Sequence, residues 1–85
     1  MEITYRIDKD ILYIAMEGRI GASNAAEAEA KIFAIKNENP DKHTVLDAEN
    51  LEYISSAGLR VILRLRKEEP KLAIINVAPE VYDVF

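Results

Sequence analysis

The chain has 85 residues, with 11 Lys or Arg against 15 Asp or Glu, a formal net charge of −4. That length sets one domain spanning 1–85, since domains hold roughly 100–200 residues, and an apolar share of 49% excludes a disordered chain. The acidic balance argues against a nucleic-acid partner, because the one dense basic cluster is Arg60, Arg64, Arg66 and Lys67.

A chain this short buries only about 60–65% of the surface its unfolded form exposes, so its stability margin is thin. It has no Cys, hence no disulfide and no thiolate metal site, which fits a reducing cytosol. No apolar run approaches the ~20 residues that cross a bilayer. The opening Met-Glu-Ile-Thr-Tyr-Arg lacks a basic lead into an apolar stretch, so a cytoplasmic location and no membrane partner are expected.

Ile3, Tyr5 and Ile7 alternate with Glu2, Thr4 and Arg6, the period of a strand with one wet face. Asp8-Lys9-Asp10 reads as a polar turn, and Ile11 to Met16 as a second strand that completes a hairpin. Gly18 and Gly21 then mark a loop in which the backbone needs freedom.

Ser23 to Lys36 is rich in Ala and Glu and predicts a helix. Asn24 and Glu27 are spaced as a capping box, with Ser23 a competing cap. Ala25, Ala28, Ile32 and Ile35 form its apolar face, and Asn37 to Asp41 ends it.

Thr44 to Asp47 predicts a short core strand, followed by a loop from Ala48 to Tyr53. Leu59 to Lys67 predicts a second amphipathic helix carrying Leu59, Ile62, Leu63 and Leu65, with Pro70 closing that region. Leu72 to Val77 reads as a buried strand, and Pro79 suits the first turn of a last helix running from Glu80 toward Phe85. The expected order is β-β-α-β-α-β-α, an α/β class with a mixed sheet and helices packed on it.

Catalytic readings fail for want of residues. His43, the sole histidine, follows a charged turn and reads as a solvated surface residue, with no candidate nucleophile placed beside it. Glu27 with Glu29, or Asp47 with Glu49, could be imagined as metal ligands, but they read as a solvated helix face and a strand-end loop. There is no Gly-rich phosphate loop. The expectation is therefore no enzyme, no metal and no cofactor.

Ile54-Ser55-Ser56-Ala57-Gly58-Leu59 differs, because it sets two hydroxyls and a glycine where a loop enters a helix. A helix start offers unpaired amides and the positive end of the dipole. Ser55 or Ser56 as a simple N-cap is the ordinary reading. A phosphoserine there, adding about −1.5 to −2 charge, is the alternative: the dipole tolerates it and the docking surface changes.

The stretch LDAENLEYISSAGLRVIL resembles the signature of STAS domains, the family of bacterial anti-sigma factor antagonists. ILYIAMEGRIGASNAAEAEAKI is similar to the family's second strand, following loop and first helix. LAIINVAPEVYDVF is similar to its later strand and next helix, so nearly the whole chain is covered.

The resemblance implies a partner switch. An unphosphorylated antagonist binds an anti-sigma factor that is also a serine kinase; phosphorylation of a serine at the signature helix start abolishes binding, and a phosphatase restores it. That position falls on Ser56, with Ser55 the second choice. The implied contact surface is Ser55, Ala57, Gly58, Leu59 and Arg60, with Gly21, Ala22 and Ser23 from the adjacent loop.

Ser55 stands where many members have Asp, Ala57 where they have a second hydroxyl residue, and Gly21 where they have Asp. Family members also continue past the third helix into another strand and helix, so a C-terminally short domain with an open sheet edge is expected. An open edge templates pairing, and hence a homodimer or strand exchange. An unphosphorylated STAS scaffold for assembly or dimerisation is the alternative function, and nucleotide binding at the helix start is a third.

Overall fold

A computed structural model of the protein describes residues 1–82, so the Asp83 to Phe85 part of the expected last helix lies outside the described residues. The elements follow as β1 (Glu2–Asp8), β2 (Ile11–Ile20), α1 (Ala25–Glu38), β3 (His43–Ile54), α2 (Ser56–Glu68), β4 (Ala73–Ile75) and α3 (Pro79–Tyr82). This is the order expected from the sequence.

The strands form one sheet in the order β1-β2-β3-β4, antiparallel between β1 and β2 and parallel across the other two pairs. Both crossovers step the same way across the sheet, so their right-handed connection sets α1 and α2 on one face. There α1 packs against β1, β2 and α2, and α2 against β3.

Between these layers lie Leu12, Ile14, Met16 and Leu46 from the sheet, and Ala28, Ile32, Val61, Ile62 and Leu65 from the helices. Each large side chain fully buried there contributes about 1.5–3 kcal/mol. Ala25 and Ala28 let α1 approach the sheet closely.

Four elements depart from the sequence expectation. The first is β2, which does not stop at Met16. It runs on to Ile20, because Gly18 at φ 89° takes a conformation that keeps the strand paired with β3.

The second is the stretch from Ala48 to Tyr53, which is the latter half of β3 rather than a loop. Two register shifts against β2 each put one extra residue on β3. The inward side chains there are Ala48, Leu51 and Ile54, spaced by three instead of two. A period-two search cannot see such a strand.

The third is the core face of α2, which is Gly58, Val61, Ile62 and Leu65; Leu63 is 57% exposed and Val61 takes the place expected for it. The fourth is the last sheet strand, which is shorter than Leu72 to Val77 and stops before Asn76 at φ 58°.

Glu69 ties three element ends together at the far end of the sheet from the start of α2. Its carboxylate accepts from the buried Thr44 N–H at 2.9 Å and lies 3.3 Å from Lys36 Nζ and 3.4 Å from His43 Nδ1. Burial raises the Glu69 pKa, but the Thr44 N–H and Lys36 outweigh it and hold the carboxyl below its ordinary value.

A depressed folded-state pKa stabilises above the unfolded value and is lost as pH falls through the folded one. Glu69→Gln should therefore cost about 1 kcal/mol at pH 7. The difference from wild type should shrink as pH falls through the lowered pKa of Glu69, as read by urea denaturation over a pH series descending from 7.

Candidate functional site

The carboxyl-terminal ends of β2 and β3 meet the start of α2, and Ile20 is the residue they share. The Ser55 N–H donates to the Ile20 carbonyl at 2.8 Å, which fixes where the chain leaves β3 and turns into the helix. Ser55 is the N-cap, in extended conformation, and its Oγ accepts from the Gly58 N–H at 3.2 Å. The Leu59 N–H then reaches back to the Ser55 carbonyl at 2.8 Å, closing the first turn.

Gly58 is buried against the two strands. A Cβ at this position would sit 2.7 Å from Ile54 Cγ1, 2.9 Å from Ile20 Cγ2 and 3.3 Å from the Ile20 carbonyl. Only a residue without a side chain lets α2 come this close. Ala57 and Leu59 are half-buried, with Ala57 packed on the core, whereas Arg60 is exposed.

Ser56 is the first residue of α2 and is exposed. Because Ser55 holds the cap, the Ser56 hydroxyl is not needed for it. It opens to solvent at the positive end of the helix dipole. The sequence left Ser55 and Ser56 as alternative caps; the geometry assigns the cap to Ser55.

The β2–α1 loop begins one residue after Ile20, which brings Gly21, Ala22 and Ser23 to the same end of the sheet as Ser55 and Ser56. Ala22 and Ser23 are exposed, and Gly21 has open space where a Cβ would stand.

Asn24 shapes the loop differently from the capping box expected of it. It occupies the N-cap position of α1, but its side chain makes no cap bond. Instead its Oδ1 accepts from Gly21 N–H at 2.8 Å and its Nδ2 donates to the Arg19 carbonyl at 2.9 Å. The side chain therefore holds the loop on the end of β2.

Arg19 and Tyr53, cross-strand neighbours beside this corner, also escaped sequence reasoning. The guanidinium lies over the ring at 4.5 Å. Only the shifted register of β3 brings them together.

The corner is thus a mixed sheet whose parallel crossovers set a capped, serine-bearing helix start beside a second exposed loop. The STAS domain family model matches residues 2–85, and the chain belongs to the STAS family, that of bacterial anti-sigma factor antagonists.

A relative from Bordetella bronchiseptica, named as the anti-sigma factor antagonist BtrV, is 34% identical over an alignment spanning all of this chain and 76% of BtrV. The fold is that of SpoIIAA, a Bacillus cell fate determinant. Its unphosphorylated form superposes with a TM-score of 0.71 at 19% identity, over 99% of this chain and 81% of that one. The phosphorylated form gives 0.68 at 19%, over 99% and 80%.

Gly58→Ala should destabilise the protein by about 1–3 kcal/mol through overpacking, although the same change in an open helix stabilises by about 1 kcal/mol. Gly21→Ala should stay within about 0.5 kcal/mol of wild type. Ser55→Ala should cost about 1 kcal/mol and Ser56→Ala almost nothing. Chemical denaturation of the four variants checks all of these.

Proposed function

We propose that the protein is an anti-sigma factor antagonist of the cytoplasm, a non-enzymatic regulator of transcription whose binding to an anti-sigma factor with serine kinase activity is switched at Ser56. The observation that carries this is the division of labour between two adjacent serines. Ser55 is spent on the cap, while Ser56 is exposed and free of structural duty on the same helix start.

The chemistry is phosphoryl transfer from ATP. A bond forms between Ser56 Oγ and the γ-phosphorus, the β–γ phosphoanhydride bond breaks, ADP leaves, and the hydroxyl proton passes to a base of the kinase. The modified Ser56 would carry about −1.5 to −2 charge at the N-terminus of α2, where the dipole accommodates it. The partner would meet that charge on the surface made by Ser55, Ala57, Gly58, Leu59 and Arg60 with Gly21, Ala22 and Ser23. A surface matched to a neutral hydroxyl leaves a phosphate desolvated and unpaired. A phosphatase partner would restore the neutral state.

The names of relatives agree with this reading: BtrV is named as an anti-sigma factor antagonist, and SpoIIAA has been solved both unphosphorylated and phosphorylated. The alternative, a STAS scaffold for assembly or dimerisation without phosphorylation, is favoured by one observation. Gly21, Ser55 and Ala57 lack the carboxylates and second hydroxyl that many relatives carry there.

Incubation with the co-encoded serine kinase and ATP, followed by peptide mass spectrometry, separates the two. One phosphate is expected on Ser56, none on Ser56→Ala, and retention at Ser56 in Ser55→Ala. Unmodified wild-type protein would leave the scaffold as the function.

A further inference from the structure

The outer edge of β1 is complementary to itself. This strand pairs only with β2 and so presents one free edge among the described residues. Cross-strand partners share a face, so Ile3, Tyr5 and Ile7 lie on the helix side with Met16, Ile14 and Leu12. Yet α1 does not cover them fully: Tyr5 is 50% and Ile7 45% exposed.

The opposite face of β1 has the complementary problem. Glu2 stands directly across from Glu17, a like-charge pair that disfavours the strand end. Arg6, four residues along the same face, stacks on Tyr13 with its guanidinium 4.0 Å from the ring centroid. Neither Glu2 nor Arg6 has an ion-pair partner among the described residues.

We propose that a second copy of this chain adds to the sheet by antiparallel pairing of β1 with β1, about a two-fold axis at Thr4. In that register Glu2 faces Arg6 of the other copy, Ile3 faces Tyr5, Thr4 faces Thr4 and Met1 faces Ile7. Every pair is favourable: two ion pairs on one side, apolar pairs on the other and Thr against Thr at the centre. Each Glu2, crowded by its own Glu17, gains a cation, and the half-exposed Tyr5 and Ile7 gain apolar neighbours.

Neighbouring registers lose this match. Centring the axis on Tyr5 sets Glu2 against Asp8, and centring it on Ile3 sets Glu2 against Thr4 and gives it no cation. The interface is isologous, closed by one symmetry axis, and buries a continuous ladder rather than a flat patch. It is also small, so a weak association is expected. The pairing uses the outer edge of β1, whereas Ser56 stands at the start of α2 beside the ends of β2 and β3.

Charge exchange tests the register. By sedimentation velocity, wild-type protein should show a concentration-dependent monomer–dimer equilibrium, weakened at least ten-fold by Glu2→Arg or Arg6→Glu alone. An equimolar mixture of the two variants should recover wild-type association, because each supplies the charge the other lacks. Native mass spectrometry should show that dimer to be heteromeric. Matching thermal melts establish that both variants are folded. A wild-type chain that stays monomeric to millimolar concentration, single variants that dimerise normally, or a mixture that associates no better than its components would each overturn the proposal.

Discussion

The close approach of α2 to the end of the sheet at Gly58 is the constraint on which the rest of this structure depends. Ile20 and Ile54, the last residues of two adjacent strands, converge on the one helix position that has no side chain. The Ile20 carbonyl holds the Ser55 amide, and the loop beginning at Gly21 starts one residue later. Both halves of the candidate docking surface therefore hang on the same strand end. Widening the gap would move α2 and disturb the alignment of Ser56 with Ala22 and Ser23 together.

On the proposed function, the local chemistry at this corner separates stability from signalling. A helix start needs a cap, and a phosphoacceptor needs a hydroxyl that is free; one serine cannot serve both needs well. In this chain Ser55 supplies the oxygen for the Gly58 amide while Ser56 faces outward. Modification of Ser56 would then leave the cap bond in place, so that the fold survives while the surface changes. An Asp at this position could cap as Ser55 does, since both offer an oxygen to the amides of the first turn.

Much of this was legible in the sequence, because the principal elements are periodic. The alternation in β1, the apolar run of β2 and the spacing of Ala25, Ala28 and Ile32 in α1 each carry a local signal that the packed structure respects. What escaped depends on pairing between distant segments. Ala48, Leu51 and Ile54 recur at three because β3 slips against β2, and nothing in residues 48–54 alone announces a bulge.

Asn24 carries a cap's residue type yet spends its side chain on Gly21 and Arg19, a choice set by the loop it must hold. At the candidate site, the motif Ser55 to Leu59 was readable as a helix start. Which serine capped it was not, because adjacent serines are equivalent until the backbone fixes one of them in an extended conformation. The need for glycine at position 58 likewise became physical only once Ile20 and Ile54 were seen to converge there.

The central claim is that a charge on the Ser56 hydroxyl controls docking without disturbing the fold. Its most direct test is calorimetric titration of the cognate anti-sigma factor with unphosphorylated protein and with protein stoichiometrically phosphorylated on Ser56, with matching circular dichroism spectra as the control for folding. A loss of affinity of about 100-fold, or roughly 2.7 kcal/mol, is predicted for the phosphorylated form. Equal affinities for two equally folded forms would contradict it.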